Sequence, residues 1–162
     1  MPTWKIIISF LLPALSLIGI PWAIHNWIEV LSFGSSFASI AGFILILTGV
    51  SFLAWSSVLF VAFGQGTMAP WDAPKKMIVL GPYRYVRNPM AIAIITTLWG
   101  ETLLFNSFYI LGWSLVYWIL NYVFIVFIEE KELQKKFGES YSKYMKEVPR
   151  WMPLDKAVHF DP

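Results

Sequence analysis

Leu80-Gly81-Pro82-Tyr83-Arg84-Tyr85-Val86-Arg87-Asn88-Pro89 sets a Gly-Pro turn, two tyrosines, two arginines and an Asn-Pro between two long apolar segments. Interfacial anchoring accounts for any one of these residues, with tyrosines at headgroup depth and arginines on lipid phosphates. It does not account for a fixed turn at Gly81-Pro82 joined to a fixed helix start at Asn88-Pro89. A turn running straight into a helix N-terminus offers oriented N–H groups to a carboxylate or phosphate. A second polar island, Glu129-Glu130, closes the last apolar run. Read as a helix C-terminus, that site is unfavourable for acidic groups, so a cation or ligand hydroxyls are expected beside it. The two islands are expected to meet at one membrane face and hold a polar, partly cationic small molecule.

The surroundings are those of a membrane protein. The chain has 162 residues, 57% of them hydrophobic and 18% aromatic, outside the soluble globular range. Absence of cysteine excludes disulfides, thiolate metal sites and a cysteine nucleophile. His25 and His159 stand near opposite ends, so no histidine metal centre is expected. Neither a metal nor nucleic acid is expected as a partner.

With about 20 apolar residues needed per crossing, the pattern predicts an all-α, polytopic fold. Its four transmembrane helices run over about 6–24, 37–63, 89–104 and 108–128, followed by a cytosolic interfacial C-terminal helix over 129–146. Lys5 before the first run raises a signal peptide, but no small-residue cleavage site follows, so that run is read as a retained helix. A short polar connection is expected from His25 to Ser36. Gly42, Gly49, Ser51, Ala54, Ser56 and Ser57 in the second span allow close helix packing. Pro89 suits a first helical turn, and Asn106-Ser107 suits a tight turn that makes a hairpin of spans three and four. Glu101, in the third span, is assigned a packing role near the far face. In the last helix Leu133, Phe137, Tyr141 and Tyr144 form an apolar stripe among lysines, weakened at Gly138. One domain, 1–162, is expected, with a helical half 1–63 and a cofactor-binding half 64–153.

Four spans put all twelve lysines and arginines on one side. The positive-inside rule then makes both termini and the loop 64–88 cytoplasmic, in a cell inner or plasma membrane.

The loop, with Arg87-Asn88-Pro89-Met90, resembles the R-[HN]-P motif of the isoprenylcysteine carboxyl methyltransferase and phospholipid methyltransferase group. The stretch from Glu129-Glu130 through Leu133, Phe137-Gly138, Tyr141, Tyr144 and Val148-Pro149-Arg150 to Pro153 resembles that group's tail. The similarity covers 66–153. It implies an integral membrane enzyme using S-adenosylmethionine to methylate a lipophilic small molecule or lipid. Lys75, Lys76, Met77, Ile78, Tyr83, Arg87, Asn88, Pro89, Met90, Ala91, Glu129 and Glu130 would bind the cofactor, with Arg87 and Glu129 at the reaction centre.

Two departures bear on specificity. The motif ordinarily continues P-x-Y-x-G, where this chain has Ala91 and Ala93. The prenylcysteine branch carries a basic residue one turn before the acidic pair, where this chain has Ile125. Ile125 is assigned to substrate binding, and its apolar side chain argues against a prenylcysteine carboxylate. The alternatives are an NADPH-dependent sterol-type reductase, using Arg84 and Arg87 for the 2′-phosphate, and a non-enzymatic membrane scaffold.

Overall fold

The computed structural model describes residues 11, 13–27, 36–64 and 74–160, which are helical with no strand among them. A π-helical turn, Leu15–Gly19, leads into α1 (Ile20–Trp27), and α2 is Ser36–Gly64. A 3₁₀ turn (Gly81–Arg84) precedes α3 (Pro89–Leu104), which is followed by α4 (Phe108–Phe124), a second π-helical turn (Ile125–Glu129) and α5 (Glu130–Glu147). The start of the expected first span, most of the connection 25–36, and residues 65–73 of the long loop lie outside the described residues.

Among the described residues, two helices are long and apolar enough to cross a membrane, where the sequence suggests four crossings. The 29 residues of α2 give about 43 Å at 1.5 Å per residue, more than the roughly 30 Å hydrocarbon core. The second runs over the 40 residues Phe108–Glu147, with its charged part beginning at Glu129 and a non-helical kink at Gly138, whose φ is 57°. α3 has 16 residues, about 24 Å, because a tight turn stops it. Phe105 and Asn106 reverse the chain, Asn106 with φ of 49°, and the Ser107 hydroxyl accepts from the Ile110 N–H at 3.4 Å to start α4. The hairpin of α3 and α4 is as the sequence suggests.

Two other expectations change. The helix before the first connection runs through His25 to Trp27, so the polar connection starts later. More consequentially, the fourth helix does not end at the acidic pair. The π-helical turn absorbs the change in register and passes the chain into α5. Glu129 and Glu130 therefore lie at the N-terminal end of α5, and no C-terminal dipole opposes them.

α2 and α3 form the most extensive helix contact, made possible by missing side chains. A Cβ on Gly100 would stand 2.7 Å from the Gly42 carbonyl oxygen and 2.7 Å from the Ile46 nitrogen. Such approach of two backbones is how membrane helices gain packing energy when lipid supplies no hydrophobic drive. The seam is closed by the Ser39 hydroxyl donating to the Leu104 carbonyl at 3.2 Å and accepting from Asn106 Nδ2 at 2.9 Å. Leu17, Ile94 and Leu98 make a small core between the amino-terminal turn and α3, and Trp113 Nε1 donates to the Ser16 carbonyl at 3.1 Å. Large apolar side chains elsewhere on α2 and α4, among them Phe37, Ile40, Ile119 and Leu120, point outward and exposed.

Gly100→Ala is expected to force the α2–α3 seam apart and cost about 1–3 kcal/mol. Gly112→Ala, whose Cβ would meet nothing within 4 Å, should be neutral or slightly stabilising. Thermal unfolding of the two variants in the same detergent compares them.

Candidate functional site

The site is built where α2 ends, α3 begins and α5 leaves the membrane face. Gly81 takes φ of 54°, a conformation open to glycine at little cost, and Pro82 follows in the 3₁₀ turn. That turn buries Tyr83, whose hydroxyl reaches the Ser56 carbonyl of α2 at 3.4 Å. The Tyr83 carbonyl accepts from the buried Tyr144 hydroxyl at 2.7 Å. Burial, then the neighbouring Tyr144 and Glu129, raises the Tyr83 pKa above the ordinary phenol value, so it stays a neutral donor.

Arg87 and Asn88 are held by the segment after α5. The Arg87 N–H donates to the Pro149 carbonyl at 2.9 Å, and Asn88 Nδ2 donates to the Arg150 carbonyl at 3.2 Å. The Arg87 guanidinium donates to Glu130 Oε1 at 2.8 Å, with both side chains only 9% exposed. Arg150 grips the same carboxylate with both a 2.9 Å bond from Nε to Oε1 and a 2.7 Å bond from Nη2 to Oε2. Farther along, Leu154 and Val158 donate backbone N–H groups to the Tyr85 and Arg84 carbonyls. Arg84 Nε returns a bond to the Val158 carbonyl at 2.8 Å, and its Nη2 meets His159 Nδ1 at 3.0 Å.

These contacts leave a partly open cleft, walled by Phe60 of α2, by Tyr83, Arg87 and Asn88 of the loop, and by Glu129, Phe137, Tyr141 and Tyr144 of the last helix. Two polar groups in its wall lack partners. Glu129 makes no hydrogen bond or ion pair with any described residue. Arg87 Nε is buried and has no acceptor. Burial, reinforced by Glu130 and Glu132, pushes the Glu129 carboxyl up to about 7.

Residues 37–140 match the phospholipid methyltransferase family. The chain belongs to that family. A Talaromyces marneffei protein named phosphatidylethanolamine N-methyltransferase is 31% identical over 86 residues, 51% of this chain and 9% of that protein. A Penicillium rubens protein of the same name is 28% identical over 120 residues, 68% of this chain and 12% of that protein. The chain thus spans a small fraction of the length of the curated relatives it matches. No solved structure matches it.

Of the residues that the family motif singles out here, Met77, Ile78, Tyr83, Arg87, Asn88 and Glu129 line the cleft, whereas Lys75, Lys76, Pro89, Met90, Ala91, Glu130 and Ile125 do not. Backbone N–H groups of Lys75 and Lys76 donate to the Gly64 carbonyl and close α2. Pro89 opens α3, and Met90 sulfur accepts from the Ser57 hydroxyl at 3.6 Å. Ala93, in the family's glycine place, is fully buried with its carbonyl against Gly49 at the α2–α3 seam. Ile125 is buried at the start of the π-helical turn. Phe60, Pro74, Leu133, Phe137, Tyr141 and Tyr144 complete the wall. The four on α5 stand out in the sequence as an apolar stripe at helical spacing, which by itself suggests lipid contact rather than a cleft. Arg150 gives no signal beyond being one basic residue among many.

Glu130→Ala strands Arg87 as a buried, uncompensated cation. It should cost about 3–5 kcal/mol, the usual penalty for breaking one side of a buried pair. Arg150→Ala should cost less, since that side chain is 28% exposed and Arg87 keeps its partner. Denaturant unfolding in mixed micelles, with proteolysis across 81–88 as a local readout, would rank the two.

Proposed function

We propose that this chain transfers a methyl group from S-adenosylmethionine to the amine of a phospholipid headgroup at the cytoplasmic face of a membrane. The observation that carries the reading is the unpaired Glu129 carboxylate in an aromatic-walled cleft beside the unpaired Nε of Arg87. S-adenosylmethionine, when bound, supplies a methyl group on a positively charged sulfur, transferred by direct displacement. The donor set suits it. Glu129 would accept from the amino group or the ribose diol, Arg87 Nε would donate to the carboxylate, and faces of Tyr83, Tyr141 or Phe60 would receive the sulfonium charge.

The chain's part is alignment and exclusion of water. Holding two reactants in attack geometry can supply roughly 7–11 kcal/mol in favourable cases, and no acid–base pair is needed for the displacement. The acceptor amine attacks as its neutral form and its surplus proton leaves toward the open mouth of the cleft. The amine as acceptor draws support from the names of the relatives. A prenylcysteine carboxylate is disfavoured, because Arg87, the cation in the wall, gives Nη1 to Glu130 and would give its remaining Nε to the cofactor carboxylate. The reductase alternative loses its basic pair in the same way, Arg84 being engaged by Val158 and His159.

In this reading the protein is one membrane domain. α2 and α4 cross the bilayer, α3 is a shorter third crossing braced on α2, and the amino-terminal helix supplies a fourth, with both termini cytoplasmic. A reporter fused to the carboxy terminus should register the cytoplasm. A signal from the opposite side would sink the four-crossing arrangement.

Glu129→Gln should weaken S-adenosylmethionine binding about ten- to hundredfold by calorimetry, the loss of one charge-assisted hydrogen bond, with unfolding unchanged or slightly improved.

Binding should also depend on pH in a definite direction. With its carboxyl near 7, Glu129 is protonated below that value and cannot pair with a cation. Affinity should therefore rise as pH increases through about 7 and level off above. A cation bound there lowers the carboxyl's pKa, so binding near neutrality should release a proton. Glu129→Gln should flatten the profile. An unchanged slope in that variant would remove Glu129 from the binding site.

A further inference from the structure

We propose that Arg150, Trp151 and Tyr122 hold the phosphodiester of the acceptor lipid, outside the cleft and next to it. Two guanidiniums, Arg87 and Arg150, share the single carboxylate of Glu130, so this buried group keeps one surplus positive charge. Arg87 is enclosed. Arg150 is 28% exposed at its side chain, and its Nη1 has no partner among the described residues, so the surplus is presented to an outside anion there.

Beside it, the Trp151 ring stacks on Tyr122 of α4, with centroids 6.2 Å apart and planes at 20°. The Trp151 Nε1–H is buried with no acceptor among the described residues. Buried donors without partners are rare enough to call for a cause, and a phosphate oxygen would supply the missing acceptor. Tyr122, stacked on Trp151 and 39% exposed, supplies a further hydroxyl donor beside the indole. Arginine with indole and phenol donors is the chemistry of a phosphate at headgroup depth. Lipid has access, since Ile119, Val123 and Phe127 of the same helix are exposed apolar residues.

The register also fits. Arg150 and Arg87 touch the same oxygen of Glu130, and Arg87 is in the cleft wall. A phosphate on Arg150 thus lies one carboxylate away from the cleft. Selection for a phospholipid over another lipophilic amine would then come from this cluster, not from the cleft.

This inference rests on the proposed methyl transfer, and the test separates the two. Trp151→Phe and Tyr122→Phe each remove one donor and keep the ring stack. With full-length protein in mixed micelles, the KM for phosphatidylethanolamine is compared with that for a long-chain alkylamine, alongside the Kd for S-adenosylmethionine. The unaltered protein should prefer the phospholipid. Each variant should lose about tenfold of that preference through the phospholipid KM, as expected for one hydrogen bond to a charged group, with cofactor Kd unchanged. Inorganic phosphate should inhibit competitively against the phospholipid and weakly against the alkylamine. If the variants keep the full preference, the phosphate site is wrong while methyl transfer stands. If the unaltered protein binds no S-adenosylmethionine and methylates neither amine, both fail. An aromatic pair that merely anchors the helix in the interface would change unfolding or membrane partitioning and leave the ratio of the two KM values alone.

Discussion

The buried carboxylate of Glu130 is the constraint on which the rest of the site depends. An isolated ion of this kind would cost several kcal/mol to remove from water, so the chain cannot bury it without bringing both arginines to it. One arginine comes from the loop before α3 and the other from the segment after α5. Satisfying the charge therefore fixes two parts of the chain more than sixty residues apart in sequence against each other. The Arg87 backbone N–H and the Asn88 side-chain amide, donating to the carbonyls of Pro149 and Arg150, then extend that junction into a wall. A buried ion pair of this kind adds little net stability over an apolar packing of the same volume. What it gives is one geometry.

The acidic pair shows how two adjacent residues of one type take different work. Successive residues on a helix point about 100° apart, at 3.6 residues per turn. Glu130 turns toward the arginines, and Glu129 turns toward the cleft. The π-helical turn just before them matters here. π-bulges occur mostly as single-turn insertions and often at functional sites, and this one lets an apolar crossing helix continue unbroken into a polar helix. A helix that stopped at Ile128 would free both carboxylates into solvent. Continuity is what carries one of them into the interior and leaves the other at the edge of an aromatic box.

Much of this was legible in the sequence where a residue's local chemistry decides its place. Gly81-Pro82 and Asn88-Pro89 are restricted in φ or in hydrogen bonding, so a turn and a helix start followed. The expectation that the glycines of the second span serve close packing holds for Gly42 and Gly49, which meet Gly100, Ala93 and Thr97. What local chemistry does not encode is which charges pair. Arg84, Arg87 and Arg150 look alike in a sequence, yet the first binds the carboxy-terminal strap, the second a buried carboxylate, and the third bridges that carboxylate to the surface. The stripe Leu133, Phe137, Tyr141 and Tyr144 was visible as a periodicity, but periodicity is silent on whether lipid or a cleft lies opposite. The continuity of α4 and α5 was missed for a related reason. A change from apolar to charged composition marks the membrane face, and it says nothing about whether the backbone bends there.

Placing the cleft at that face reconciles two reactants that do not share a solvent. On the proposed reading, a charged, water-soluble cofactor would enter from water at that face, between the loop and α5, without crossing hydrocarbon. A lipid can approach along α4, whose outward side chains are apolar to within a turn of the acidic pair. Phe60 reaches the cleft from α2, while Tyr141 and Tyr144 reach it from α5. The polar cluster at Glu130 supplies the rigidity that a larger core would otherwise provide, and it does so at the one place where water and lipid meet.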